Sequence, residues 1–355
     1  MTGARDEASG SGFRARPEWR GVTALALLVA AGLASAFALG ELAVRWVAPQ
    51  RNYYLPASQI VRDPWRGLMH RASSTPGLHY ELVPSSTADV AGTRVVTNRY
   101  GMRDDDPLPG DTPGLWRIAV FGDSVSFGYG VAGSETWPSV LERELAASPP
   151  ESGRRYDVLN FAVSGYSSRD EAAQVEHVVP EWRPRLLIVG YTLNDPETEP
   201  FQPLQAYYHE TGLWQYSHML RLLHRAASLQ AVRRLGGGDY LRYLHADPEK
   251  WGSVVDAFAR IARVAGDLGA GRLLVVFPSL PEPGRDWSDY RDADLHQQVA
   301  RAARAAGFDV LDLLPVLSST PPDLLRVSRS DGHPNATAHA RAARAIADRL
   351  RSPGG

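Results

Sequence analysis

The chain is 355 residues long and 44% hydrophobic, ample for a large core and inconsistent with a disordered protein. Lysine and arginine number 38 against 40 aspartates and glutamates, interspersed to a formal charge of −2; with no basic block and no zinc-finger spacing, nucleic acid is not an expected partner. Cysteine is absent, which removes disulfides, thiol nucleophiles and cysteine-ligated metals together.

Residues 1–20 are polar and contain glycine, as expected of a disordered cytoplasmic tail. Residues 21–40, GVTALALLVAAGLASAFALG, carry no charge, and about 20 residues of helix at about 1.5 Å each cross a hydrocarbon core. A transmembrane anchor is therefore expected over 21–47. Arg14, Arg16 and Arg20 precede it, whereas Glu41 and Arg45 follow, so the positive excess predicts an N-in, C-out orientation with the rest of the chain in the periplasm or outside the cell. A cleaved signal peptide, with the small residues Ala34 to Ala36 at the cut, and a buried alanine-rich helix are the competing readings. The apolar run exceeds the roughly 7–15 residues of a signal core, which favours the anchor.

Residues 48–115 hold several prolines and few periodic segments, and read as an irregular extension packed on the main domain. Within it, TNRYGMRDDD offers Arg99 and Arg103, which could either bind an anionic group or brace the domain.

From residue 116 to 352 the pattern changes. Apolar runs of strand length at 117–121, 156–163, 185–191, 272–277 and 308–314 alternate with helical patterns at 137–147, 168–182, 248–268, 294–306 and 334–350. Near-continuous apolar strands between amphipathic helices predict a mostly parallel sheet of about five strands covered on both faces, a three-layer α/β/α sandwich. Residues 196–248 fall outside this alternation and are rich in aromatics, among them Phe201, Tyr207, Tyr208, Trp214, Tyr216, Tyr240 and Tyr243. Such an insertion forms either a lid or glycan-stacking wall, or a small satellite core. Gly236 to Gly238 mark a flexible turn inside it.

In open α/β sheets ligands sit beyond the carboxyl ends of the strands. Four such loops carry chemistry here: Ser124 in FGDSVSFGYGV, Gly165 in NFAVSGY, Asn194 in GYTLND, and Asp331 with His333 in SDGHPN. A serine needs a base within hydrogen-bond reach to become a nucleophile, and His333 is the candidate. An acid behind the imidazole fixes its tautomer and stabilises the imidazolium, and Asp331 is the nearest carboxylate; a backbone carbonyl is the other possible orienting group. Three donors for a developing oxyanion are available in the amides of Ser124 and Gly165 and the carboxamide of Asn194. Pro334 suits the first turn of the last helix, which would put His333 at a rigid helix start. Plainer roles are expected nearby: Asp123 as a structural hydrogen-bonding group in its loop, Asp195 as a helix cap, Asn335 as a first-turn polar residue, and His339 as a packing or surface histidine.

Taken together, these blocks, in this order, resemble the SGNH/GDSL hydrolase family over residues 116 to the C-terminus. The resemblance implies a flavodoxin-like fold and serine-dependent hydrolysis or transfer of O-acyl groups, with no metal and no cofactor. It makes Ser124 the nucleophile, His333 the general base, and Gly165 and Asn194 parts of the oxyanion hole. One position departs: the family's acid usually lies three residues before the histidine, where this chain has Ser330, and Asp331 lies two before. No Gly-x-Ser-x-Gly elbow is present, unlike the other large class of serine esterases. The expected activity is hydrolysis of O-acyl esters, acetyl above all, on a cell-surface or extracellular glycan. An O-acetyltransferase and a non-catalytic glycan-binding or assembly protein are the alternatives.

Overall fold

The computed structural model describes residues 19–50, 69–90, 92–147, 153–197, 213–234 and 239–352. The tail, the Gly236 to Gly238 turn and the aromatics Phe201, Tyr207 and Tyr208 lie outside the described residues.

Five parallel strands form the central sheet: β5 (Leu115–Gly122), β6 (Arg155–Asn160), β7 (Leu186–Tyr191), β8 (Gly271–Val276) and β9 (Asp309–Asp312), in the order β6-β5-β7-β8-β9. Each strand is apolar on both sides, so alternate residues feed two cores. Ala119, Phe121, Leu187, Val189, Leu274 and Val276 pack against α4 (Ser168–His177), α7 (Pro248–Leu268) and α8 (Ala293–Ala305). Ile118, Val120, Ile188, Leu273 and Val275 pack against α3 (Trp137–Ala147), the short α9 (Leu314–Leu317) and α10 (Ala336–Arg351) on the opposite face. This is the three-layer sandwich expected from the alternation of runs.

Two helix boundaries differ from expectation, each for a local reason. The segment expected as one helix over 168–182 is α4 followed by a separate 3₁₀ turn, Val179–Trp182. Pro180 cannot donate its missing N–H into an α-helix and disfavours helical backbone at Val179. The last helix starts at Ala336, not at Pro334, because Asn335 in extended backbone caps it, its Oδ1 accepting from the amides of Thr337 and Ala338. Pro334 instead ends a short strand, β11 (Asp331–Pro334), paired antiparallel with β10 (Arg326–Ser328).

The extension expected to be irregular contains two antiparallel hairpins. β1 (His70–Ala72) pairs with β2 (Tyr80–Leu82), and β3 (Thr87–Val90) with β4 (Thr93–Val96). Their inward residues Met69, Leu78, Tyr80, Leu82, Val90 and Val95 form a third core with Phe127, Val163 and Tyr166, which lie in the loops and short helix that follow β5 and β6. The hairpins thus buttress the rim of the sheet where the loops project.

At the N-terminus, α1 (Trp19–Val47) contains a stretch, Gly21–Val47, long and apolar enough to cross a membrane or to act as a signal sequence, and none of it is buried in the protein. Between it and the sheet, the described part of the insertion consists of a 3₁₀ turn (Leu213–Tyr216) and two helices, α5 (His218–Arg234) and α6 (Tyr240–Ala246).

Candidate active site

The apolar strand β5 ends on Gly122, and the reason is steric. A Cβ at Gly122 would stand 2.3 Å from Ser126 Oγ and 2.9 Å from the Gly190 carbonyl oxygen, and one at Gly190 would stand 2.1 Å from the same hydroxyl. These paired glycines on adjacent strands let the chain turn sharply into α2 (Ser124–Phe127), whose cap is Asp123, with Oδ1 accepting from Val125 N at 2.8 Å. Ser124 is the first residue of that short helix, so its amide is among those a helix leaves without an internal partner.

His333 reaches Ser124 from β11. Its Nε2 lies 3.0 Å from Ser124 Oγ, and its Nδ1 lies 2.7 Å from Asp331 Oδ1, which also accepts from the His333 backbone amide at 3.0 Å. With the ring proton assigned to Nδ1, the imidazole donates to the carboxylate and accepts from the hydroxyl. A carboxylate two positions before the histidine therefore meets the ring because both sit on one extended strand and the side chain folds back. Burial raises the Asp331 pKa, but the hydrogen bonds from His333 and the charges of His333 and Arg326 outweigh it and hold the carboxyl below its usual value. Tyr129 lies against the other face of the ring, centroid to centroid 4.4 Å. Nothing in the periodicity of the chain marks Tyr129; only its place within FGYG, five residues after the serine, is suggestive.

Gly165 occupies the loop after β6 with φ of 90°, a left-handed backbone that favours glycine. That loop is gripped by the N-terminal hairpins: Tyr80 OH donates to Ser164 O at 3.0 Å and Tyr166 OH donates to Tyr80 O at 2.6 Å. Asn194 follows β7, and its Nδ2 donates to Asp123 Oδ2 over 3.3 Å, which leaves the second amide hydrogen free for another acceptor. The structure thus brings Ser124, Asp331 and His333 into one hydrogen-bonded row, ties Asn194 to the residue before the serine, and puts Gly165 on a neighbouring loop of the same rim.

Beneath this row lies a buried carboxyl cluster that sequence reading missed. Asp195 and Glu171 are almost wholly enclosed, and neither carboxyl oxygen of Glu171 has a hydrogen-bond partner. Burial, then the neighbouring Asp123 and Asp170, pushes Glu171 well above the ordinary carboxylate range; burial, then Glu171 and Asp123, does the same to Asp195. The Thr192 hydroxyl sits among the acceptors of this cluster, 2.8 Å from Asp195 Oδ1, 2.9 Å from Asn194 Oδ1 and 3.0 Å from Asp123 Oδ2.

An acid with a raised folded pKa keeps a proton that the unfolded chain releases, so stability falls as pH rises above the ordinary carboxylate range. Glu171→Gln removes this loss. Relative to the wild type the variant gains stability as pH rises above the ordinary carboxylate range, by at most about 1.4 kcal/mol per pH unit for one proton. Urea midpoints taken over that rise in pH test it, and parallel stability–pH curves for the two proteins would refute it.

Two further residues resolve differently from their sequence alternatives. Arg103 is a brace: it is buried, and its guanidinium donates to the carbonyls of Phe127, Gly128 and Val131. Arg99 is exposed beside Asp106. His339 is a packing residue and a cap, fully enclosed in α10, its Nδ1 accepting from Trp137 N at 3.0 Å, with burial and then the charges of Arg103 and His333 lowering its pKa to about 3.

Comparison with known proteins came to the same region. The model of the GDSL-like Lipase/Acylhydrolase family matches residues 120–341. No curated protein matches the chain. Among solved structures, TesA aligns at 18% identity over 66% of this chain and 98% of its own, with a TM-score of 0.43. A catalytic mutant of Axe2, an acetylxylan esterase from Geobacillus stearothermophilus, aligns at 16% over 67% and 95%, with a TM-score of 0.43. LAE5, an alpha/beta hydrolase enzyme from the metagenome of Lake Arreo, Spain, aligns at 18% over 67% and 97%, with a TM-score of 0.44.

Proposed function

Because the chain belongs to the GDSL-like lipase/acylhydrolase family and is thus an enzyme acting on ester bonds, we propose that Ser124, His333 and Asp331 are its catalytic residues and that it removes O-acyl groups, acetyl foremost, from a glycan outside the cytoplasm. The observation that carries the assignment is the continuous row Ser124 Oγ, His333 Nε2, His333 Nδ1 and Asp331 Oδ1, with separations of 3.0 and 2.7 Å across its two hydrogen bonds.

In this reading Ser124 Oγ attacks the ester carbonyl carbon while its proton passes to His333 Nε2. Asp331 stabilises the imidazolium through Nδ1–H. The carbonyl oxygen becomes negative and is met by the Ser124 and Gly165 amides and the free hydrogen of Asn194. Collapse expels the alcohol, which takes the proton from His333, and leaves an acyl-serine. Water, deprotonated by the same imidazole, then releases the carboxylic acid and restores the serine.

Two features support the glycan and its location. Beyond the carboxyl end of β8, on the rim that carries Ser124, a hollow of about 650 Å³ is lined by Tyr240, Tyr290, Asp289, Asp292 and Arg285. Tyrosine faces among carboxylates and a guanidinium suit a polyhydroxylated ligand. The apolar helix α1, preceded by arginines, supports a single anchor with the catalytic domain outside the cytoplasm.

The test is turnover of an acetylated oligosaccharide against p-nitrophenyl acetate. Asp289→Ala and Arg285→Ala, both at exposed positions, should raise KM for the oligosaccharide several-fold and leave the small ester unchanged. Equal KM values on both substrates would count against the glycan reading. Free acetate measured in the presence of an unacetylated acceptor, with no acetyl transferred, separates hydrolysis from transfer.

A further inference from the structure

The inserted segment after β7 has a charge pattern that the ester chemistry does not use. From Thr211 to Gly238 the sequence contains Arg221, Arg225, Arg233 and Arg234 and no aspartate or glutamate. It also exposes apolar side chains: Leu213 at 76%, Tyr216 at 72%, Leu223 at 55% and Leu222 at 37% of their surface. Leu222 and Leu223 lie in α5, and the other two lie in the turn leading into it.

The start of α5 is fastened to the end of α1. The Glu41 carboxylate accepts from Ser217 Oγ at 2.7 Å and from the amides of His218 and Met219 at 2.9 and 2.8 Å, so a residue of α1 supplies the cap of α5. Arg221 donates to the Gln50 carbonyl at 2.6 Å, and Gln50 N donates to His218 Nδ1 at 2.9 Å. Residues 21–39 of α1, by contrast, are exposed throughout. Thus α5 meets only the last turns of the apolar helix and does not run alongside its length. If α1 crosses a bilayer, its carboxyl end emerges at the headgroups, and α5 begins there.

We infer that the turn Leu213–Tyr216 and helix α5 lie on the outer surface of the membrane that α1 crosses, with Leu213, Tyr216, Leu222 and Leu223 set into the headgroup boundary and the net positive charge of the segment matched by anionic phospholipids. The inference rests on the reading of α1 as an uncleaved anchor. Exposed leucines and a tyrosine beside a run of arginines without carboxylates match an interfacial segment on an anionic leaflet, in both apolar contact and charge. The segment departs from the carboxyl end of β7, next to Asn194, and returns at Pro248, the start of α7. Docking it would therefore keep the rim bearing Ser124 close to the membrane surface, where esters displayed on that surface can reach it.

The absence of cysteine makes the experiment direct. Full-length protein carrying a single nitroxide at Leu223→Cys is reconstituted in vesicles of phosphatidylglycerol and phosphatidylcholine, and its accessibility to oxygen and to a water-soluble nickel chelate is compared with labels at Leu27→Cys, in α1, and Leu324→Cys, an exposed position of the catalytic domain. The expected oxygen-to-nickel ratio is several-fold higher at position 223 than at 324, and it falls in pure phosphatidylcholine and in the Arg225→Gln, Arg233→Gln, Arg234→Gln variant. A lipid-exposed label at 27 with water-like values at 223 overturns this inference alone. Water-like values at both 27 and 223 overturn the anchor as well. A deep label at 223 that ignores lipid charge overturns the assignment to an anionic surface.

Discussion

Ser124→Ala is expected to abolish ester turnover, with kcat reduced by a factor on the order of 10⁴ to 10⁶, and to eliminate labelling by a fluorophosphonate probe. His333→Ala should fall as far, since the hydroxyl 3.0 Å from its Nε2 has no other base in the row. Removing either member stops the same step, so the double variant should be scarcely worse than each single one. Asp331→Asn preserves an oxygen near Nδ1 but takes away the charge opposite the imidazolium, and a loss of roughly 10² to 10⁴ is expected at neutral pH. The substitutions lie at partly exposed positions and leave all three cores untouched, so thermal unfolding should hardly change. Burst kinetics with p-nitrophenyl acetate on purified variants would read all of these effects. A Ser124→Ala protein that still hydrolysed the ester at the wild-type rate would remove the serine mechanism.

The second large effect concerns Arg103, which touches no reacting atom. Its guanidinium satisfies three carbonyls of the loop that runs from the end of α2 to Val131 and carries Tyr129. The loop needs that support because Gly128 and Gly130 both take left-handed backbone, with φ of 86° and 80°, and a loop of glycines holds itself poorly. Arg103→Met keeps much of the aliphatic packing over Phe127 yet takes the guanidinium from three carbonyls, of which only Gly128 O keeps a donor, the Val131 amide. A loss of about 3–5 kcal/mol of stability is expected. Because Tyr129 lies against the His333 ring, kcat should also fall, with less change in KM. Arg103→Lys restores the charge but offers one nitrogen where a planar fork served three oxygens, so it should rescue only part of either loss. Urea denaturation of the variants measures the first effect and steady-state kinetics the second; an unchanged urea midpoint for Arg103→Met would show that the brace is dispensable.

Much of the architecture could be read from the chain because the two signals involved are local. Beyond their leading arginines, Arg117 and Arg272, the runs at 117–121 and 272–277 are wholly apolar, as strands covered on both faces must be, and the helices 137–147 and 248–268 coincide with α3 and α7. Where the reading slipped, a single side chain or ring decided the outcome. Pro180 split one expected helix, and Asn335, taking two amides with its Oδ1, is the cap, so Pro334, expected as the first helical residue, falls outside the helix. The hairpins of the extension were illegible because strands of three or four residues are too short to show a period.

By itself the sequence determined that the chain has an apolar N-terminal helix, a parallel α/β body and four loops carrying serine, glycine, asparagine and histidine, since strand and helix periodicity and strand-end chemistry are written within a few residues of one another. Only the tertiary structure decided that Asp331, and not a carbonyl, meets Nδ1, that Arg103 braces a loop, that Tyr80 grips the Gly165 loop, and that Glu171 lies unpaired beneath the row. Ser124 and His333 stand 209 positions apart yet share a hydrogen bond. Contacts of that kind depend on how buried surfaces pack and which polar atoms are left to satisfy one another, a property of the folded interior that no local pattern encodes.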